Sequence, residues 1–238
     1  MAQQRNFASR FGRFSPTPVV VITLGVLLVM FLFTGFAANF VPGGARAYDL
    51  MMLDARDVMK GEVWRLVSYG LLHDLRSPFH LLMNGLMLWF FARDIEQRFG
   101  SLKFLAFNFA ALLVGGLFVM AGYALGIGSP VVLGYSAVVE ACIVAWALFN
   151  RDAPVSFFMV LPMRGIHMLV LAVLMWMLDA VSASGSSASA HLGGIITGLV
   201  TWFLVARRNR IRLFFMELGR GKKAKLTVVP KNNDRWVN

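Results

Sequence analysis

Four polar side chains interrupt long apolar runs of this 238-residue sequence: His80, Asn84, Ser136 and His191. Serine paired with a general base such as histidine is the minimum set of groups for nucleophilic catalysis. Two further hydrogen-bond donors could stabilise the oxyanion that forms when a serine attacks a carbonyl group. Considered singly, each residue has a simpler explanation, because serine often begins helices and polar side chains join membrane helices by hydrogen bonds. The catalytic hypothesis therefore requires elements that bring the four residues together.

The spacing within each segment favours such a cluster. His80 and Asn84 are four residues apart, which places both side chains on one face of a helix. Ser136 follows Gly134 at the expected outer start of a helix, where backbone N–H groups lack carbonyl partners and favour negative charge. The amide beside Ser136 is therefore a third candidate donor for an oxyanion.

His191 begins an apolar segment in which Gly194 and Gly198 share its helical face. Small residues allow two membrane helices to approach each other closely. If the neighbouring helix is the one that begins near Ser136, with Ala137 at its outer end, His191 would lie within hydrogen-bonding distance of the serine.

The composition indicates which elements could position these residues. Hydrophobic residues make up 58% of the chain and charged residues 15%, proportions outside the usual range of soluble domains, so we expect an integral membrane protein. Apolar runs near the length of a membrane-spanning helix predict an all-α fold with six spans. The runs are Val19–Phe36, Phe79–Ala92, Phe104–Leu125, Val131–Phe149, Gly165–Leu178 and Ala190–Ala206.

Positive charge is concentrated at the two ends of the chain. The net charge is +11, of which residues 1–17 carry +3 and residues 207–238 carry +8. Positive flanks favour the cytoplasmic side of a membrane, so both termini are predicted to be cytoplasmic, in agreement with an even number of spans. The basic tail is interpreted as an anchor near anionic membrane lipid, and no nucleic-acid partner is expected.

These features predict three regions: a basic cytoplasmic N-terminus at 1–17, a six-helix domain at 18–206 and a basic cytoplasmic tail at 207–238. The domain includes an outer loop at about 42–78, which is too polar to cross a bilayer. The single cysteine, Cys142, excludes an internal disulfide and is interpreted as a buried core residue. No group of residues has metal-ligand spacing, and we expect no metal and no other cofactor.

Five short motifs, taken together and in order, resemble those of the rhomboid intramembrane serine proteases. The resemblance covers roughly Gly61–Ala206. The motifs are Glu62-Val-Trp64-Arg65, His80-x-x-x-Asn84, Glu96-x-x-x-Gly100, Gly134-x-Ser136 and Ala190-His191-x-x-Gly194-x-x-x-Gly198.

This resemblance implies a rhomboid-like six-helix bundle that hydrolyses peptide bonds in or near the membrane helix of single-pass transmembrane protein substrates. It implies Ser136 as the nucleophile and His191 as the general base, a dyad without a third member. His80, Asn84 and the backbone N–H of Ser136 would form the oxyanion hole, and the Trp-Arg pair of the first motif would belong to a membrane-embedded loop. A six-span core with short tails is most like bacterial members, which implies the bacterial cytoplasmic membrane.

Two positions depart from the family pattern. Ala137 stands where the family usually has a glycine after the serine, which is a mild steric change in a helix. Glu140 stands where active relatives carry an aromatic residue against the catalytic histidine. Three interpretations of Glu140 are open: a polar residue in a cavity, a substitution that removes activity, or an acceptor that orients His191 in a Ser-His-Glu relay.

Other polar residues are interpreted as interfacial: His73 and Asp74 in the outer loop, His167 near the cytoplasmic end of the fifth span and Asp179 near its outer end. An alternative function is that of a catalytically silent rhomboid-like protein that binds transmembrane helices for trafficking or quality control. Such proteins commonly lack the serine or the histidine, whereas this chain has both, which favours the enzyme.

Overall fold

A computed structural model of the chain describes residues 17–157, 160–181 and 187–219. Nearly all of the predicted N-terminal region, residues 182–186 before the predicted sixth span and the tail after Gly219 lie outside the described residues. The chain divides into two units, Met1–Trp202 and Phe203–Asn238. The described part of the second unit is helical and contains Arg207 and Arg208.

The first helix, α1, covers Pro18–Phe40 and begins with a proline at its first position, where the missing N–H costs no hydrogen bond. The carboxylate of Glu96, from another helix, accepts hydrogen bonds from the N–H groups of Val19 and Val20 at 3.1 and 3.0 Å. Such amides have no carbonyl partner within their own helix. Glu96 therefore caps α1 and fixes where it begins.

The polar segment predicted at about 42–78, the first loop of the chain, is folded. Arg65 is buried inside it, and its guanidinium donates to the Glu62 carboxylate at 2.6 Å and to the backbone carbonyls of Asp49 and Met52. These bonds tie separate parts of the loop to one charged side chain. The loop consists of α2 (Ala45–Met51), β1 (Leu53–Asp54), α3 (Ala55–Val58), α4 (Arg65–Ser68) and a 3-10 turn (Tyr69–Leu71).

Trp64 adds a further link within this loop. Its indole N–H donates to the carbonyl of Leu50 at 3.0 Å, while about half of its side chain is exposed. The Trp-Arg motif of the sequence is therefore part of the framework of the loop.

The next helical run is longer than the apolar segment that predicts it. It passes from α5 (Pro78–Met87) through a π-helical turn (Leu88–Ala92) into α6 (Arg93–Phe99). Gly100 then separates α6 from α7, Ser101–Ala124. Gly100 has a φ of 78°, which glycine adopts without strain, and its N–H donates to the Glu96 carbonyl at 2.7 Å.

The segment before the fourth apolar helix is extended rather than helical. Strand β2, Val131–Val132, pairs antiparallel with β1, so Leu53 faces Val132. The predicted span starts at Val131, but helix α8 covers Ser136–Phe149, because the two valines are paired with the loop and Gly134 has a φ of 118°.

The remaining elements are a second antiparallel strand pair and two helices: β3 (Pro154–Phe157), β4 (Leu161–Arg164), α9 (Gly165–Val181) and α10 (Ala188–Gly219). Within the described ranges, three helices are long and apolar enough to cross a membrane, and α8 and α9 are shorter apolar helices. The three are Pro18–Phe40, Ser101–Ala124 and Ala188–Arg208. The protein is a mostly helical integral membrane protein.

Helix α8 lies in the interior of the first unit, since nine of its 14 residues are buried. Helix α10 approaches it at two glycines. A Cβ at Gly194 would lie 2.2 Å from the carbonyl oxygen of Ala137, and one at Gly198 would lie 2.7 Å from that of Ala141. The two helices therefore pack backbone against backbone, as the spacing of the small residues predicts.

Candidate active site

Ser136 and His191 meet where α8 and α10 begin. Ser136 is the first residue of α8, and His191 lies in the first turn of α10. The Ser136 Oγ is 2.8 Å from the His191 Nε2, although the two residues are 55 positions apart in the chain. A hydroxyl bonded to an imidazole nitrogen in this way can pass its proton to the ring as the oxygen attacks a carbonyl group.

His80 lies beside the serine on the other side of Gly134. A Cβ at position 134 would lie 2.8 Å from His80 Cε1 and 3.9 Å from Ser136 Oγ. The imidazole and the hydroxyl therefore border a small space that any side chain at position 134 would fill. The N–H of Gly134 donates to the Tyr69 carbonyl at 3.0 Å, which holds this segment against the first loop.

Asn84 is buried one turn after His80 and contacts a histidine of the first loop. Its amide nitrogen lies 3.3 Å from Nε2 of His73. An amide nitrogen only donates, so His73 accepts at Nε2 and carries its own proton on Nδ1. The second proton of the Asn84 amide is then available for another acceptor.

His73 is fully buried, whereas the sequence predicts an interfacial residue. Its ring centroid lies 5.2 Å from that of His80. Burial, and then the neighbouring His80, lower the pKa of His73 to about 4, so the ring is neutral at pH 7. The only sequence signal for this contact is a second histidine shortly before His80.

Asp179 contacts the second ring nitrogen of His191, a relationship that the sequence does not predict. Its Oδ2 lies 3.3 Å from His191 Nδ1, and its side chain is 24% exposed. The same oxygen accepts a hydrogen bond from the Ser187 hydroxyl at 2.8 Å. The signal in the sequence was a carboxylate near the end of one apolar helix, a short linker, and a histidine at the start of the next.

Glu140 is not among the polar partners of the His191 ring in the described residues. Nε2 of His191 is bonded to Ser136, and Nδ1 faces Asp179. The Oε2 of Glu140 is buried and has no hydrogen-bond partner among the described residues, although the carboxyl group lies within electrostatic range of His191 and Asp179. Asp179 is therefore the carboxylate next to Nδ1 in the described part of the chain, and the three interpretations of Glu140 stay predictions.

The other motif residues form the frame around the site. Gly134 provides the space between His80 and Ser136, and Gly194 and Gly198 set the approach of α10 to α8. Trp64 and Arg65 organise the loop at about 42–78, Glu96 caps α1, and Gly100 separates α6 from α7.

Comparison with known proteins gives a consistent match. A family model described as "Rhomboid domain" matches residues 60–208, a range that includes His80, Asn84, Ser136 and His191. The chain is 28% identical over 206 residues to the rhomboid protease GlpG of Haemophilus influenzae, which covers 87% of this chain and 97% of that protein.

Two further relatives are longer than this chain. The rhomboid protease GlpG of Photorhabdus laumondii is 29% identical over 77% of this chain and 60% of its own length. The rhomboid protease GluP of Bacillus subtilis is 26% identical over 82% of this chain and 36% of its own length. The chain therefore spans nearly all of the Haemophilus protein and less than two thirds of the other two.

Proposed function

The chain belongs to the rhomboid family, and from this premise we propose that it is an intramembrane serine endopeptidase. The observation that carries the proposal is the 2.8 Å contact between Ser136 Oγ and His191 Nε2. The similarity to three proteins named as rhomboid proteases gives it further support.

The proposed reaction is acyl transfer through Ser136. Its Oγ attacks the carbonyl carbon of the scissile peptide bond while its proton passes to His191 Nε2. The C–N bond then breaks, His191 returns that proton to the leaving amine, and the acyl group stays on the serine as an ester. Water attacks the ester with His191 as the base, which releases the carboxylic acid product and restores the serine.

The oxyanion of the tetrahedral intermediate is proposed to bind three donors: the His80 ring, the Asn84 amide and the backbone N–H of Ser136. His80 supports this proposal by its position beside the serine across Gly134. The Ser136 amide lies in the first turn of α8, where N–H groups have no carbonyl partner within the helix. Loss of one such donor costs about 10²–10³-fold in kcat.

The substrates are proposed to be single-pass transmembrane proteins, cleaved in or near their membrane helix. The enzyme would span the bacterial cytoplasmic membrane six times, with both termini in the cytoplasm. Support comes from the apolar helices, from the positive charge at both ends of the chain and from large apolar side chains exposed along α1 and α9.

Cleavage of a model single-pass substrate by the purified, detergent-solubilised protein tests the proposal. Wild-type protein is expected to release two fragments, and Ser136→Ala is expected to lower the rate by about 10³-fold or more with an unchanged melting temperature. Equal product from both proteins, or none from either over several substrates, would instead favour a silent relative that binds transmembrane helices.

A further inference from the structure

The site contains a carboxylate that a serine-histidine dyad does not use. We propose that Asp179 is a positioning residue that holds the His191 ring in its reactive tautomer, so that this chain works through a Ser136-His191-Asp179 relay. The inference rests on the proposed function, because it assigns Asp179 a part in the same reaction.

The contacts of the ring select one tautomer. An ionised carboxylate can only accept a hydrogen bond, so Asp179 Oδ2 at 3.3 Å from Nδ1 favours the tautomer with the ring proton on Nδ1. The Nε2 lone pair then accepts the Ser136 hydroxyl at 2.8 Å. A neutral imidazole with its proton on Nε2 could not take the proton of Ser136, and Asp179 disfavours that form.

Several contacts hold Asp179 at the first turn of α10 independently of the ring. Trp176, one turn earlier on α9, donates its indole N–H to the carbonyl of Ala188 at 2.9 Å. Ser187 donates its hydroxyl to Asp179 at 2.8 Å, and its carbonyl accepts the backbone N–H of His191 at 2.9 Å. The N-terminal end of a helix also favours a negative charge. Helix α9 therefore presents Asp179 to the histidine from a fixed position.

The relay adds no proton acceptor to the reaction. When Ser136 attacks, its proton moves to Nε2, while the Nδ1–H stays on the ring and stays hydrogen-bonded to Asp179. The carboxylate remains ionised throughout and stabilises the imidazolium that forms. The C–O bond to the serine forms and the C–N bond of the substrate breaks as in the dyad mechanism.

Kinetics of two carboxylate variants test the assignment. In Asp179→Asn, the amide nitrogen can donate to Nδ1 and so favours the unreactive tautomer. We expect kcat to fall by about 10²-fold or more, with KM and the melting temperature unchanged, and Asp179→Glu to recover part of the loss. Glu140→Gln changes the other carboxylate near the ring and is expected to keep kcat within about threefold of wild type, because Glu140 Oε2 bonds to none of the described residues.

A second measurement does not depend on turnover. Nitrogen-15 NMR of histidine-labelled protein, in a Ser136→Ala background that prevents catalysis, reports which nitrogen of His191 carries the proton. We expect a proton on Nδ1 when Asp179 is present and a shift of the population toward Nε2 when Asp179→Asn is added.

The outcomes separate this inference from the proposed function. Cleavage that requires Ser136 but is unchanged in Asp179→Asn would overturn the relay and leave the protease standing. Loss of kcat in Glu140→Gln with wild-type kcat in Asp179→Asn would also overturn it, in favour of Glu140. If no Ser136-dependent cleavage occurs, the proposed function fails. In the NMR experiment, a His191 proton that stays on Nδ1 in Asp179→Asn would show that Asp179 does not set the tautomer, which would overturn the relay.

Discussion

Gly194 lies so close to the backbone of Ala137 that a Cβ at position 194 would stand 2.2 Å from the Ala137 carbonyl oxygen. Ala137 directly follows Ser136, and Gly194 lies one helical turn after His191. Contact between these two backbones therefore sets the distance between the hydroxyl and the imidazole. A side chain at position 194 must separate α8 from α10 at the point where both reacting groups are attached.

Gly194→Ala is accordingly expected to lower the cleavage rate by about 10²-fold, because a displacement of about 1 Å between reacting groups can lower a rate by that factor. Gly25→Ala in α1 is the matched control, since a Cβ there has no atom within 4 Å. It should keep wild-type activity and the wild-type melting temperature or a slightly higher one. Cleavage rates and melting curves of the two variants check this, and equal rates would contradict it.

Gly134→Ala tests the space between His80 and Ser136. Gly134 and Gly43 both have positive φ, 118° and 74°, but only Gly134 has a neighbour within 3 Å of its Cβ position, the His80 ring. Gly134→Ala should abolish cleavage, because the methyl group displaces His80. Gly43→Ala should cost only about 1–2 kcal/mol of backbone strain and keep kcat. A similar loss of kcat in both variants would assign the effect to strain alone.

Glu96→Gln is expected to destabilise the fold without altering the chemistry. The buried carboxylate accepts hydrogen bonds from the N–H groups of Val19 and Val20 and, at 2.7 Å, from the Ser101 hydroxyl. An amide replaces one acceptor oxygen with a donor, so we expect a loss of about 1–3 kcal/mol and a melting temperature lower by several degrees. The side chain of Asp152 is 80% exposed, so Asp152→Asn should change neither the free energy of unfolding nor the melting temperature. Identical melting curves for Glu96→Gln and wild type would rule out the capping role.

The buried His73 predicts an acid-sensitive contribution to stability. Its pKa is lowered to about 4 by burial and by His80, whereas an unfolded histidine has a pKa near 6.5. Between these values the unfolded chain binds a proton that the folded chain does not, so the free energy of unfolding falls as the pH falls from about 6.5 to about 4. The loss is at most about 3.5 kcal/mol at about 1.4 kcal/mol per pH unit.

His73→Gln removes this titration and keeps an acceptor for the Asn84 amide. Melting temperatures of the wild type and the variant, measured in detergent from pH 7 down to pH 4.5, should therefore converge as the pH falls. Two curves that stay parallel over this range would show that His73 is not held neutral by the fold.

Local patterns predicted much of the site and of the elements that carry it. Few polar residues occur inside apolar helices, because each is costly at membrane depth, so His80, Asn84, Ser136 and His191 stood out. The spacing of Gly194 and Gly198 correctly indicated a close approach to the helix of Ser136. The start of that helix was wrong by five residues, because the pairing of Val131 and Val132 with the first loop is a long-range contact that periodicity does not contain.

The sequence by itself determined the membrane class, the family motifs and the faces on which the polar residues lie, since these follow from composition and from spacing along single helices. Only the tertiary structure decided which carboxylate faces His191. Glu140 lies one turn from Ser136 on the same helix, and spacing therefore made it the one carboxylate considered as an acceptor, among three open interpretations. Asp179 comes from α9, and its contact with Nδ1 depends on how α9 packs against α10, an arrangement that no spacing within either helix specifies.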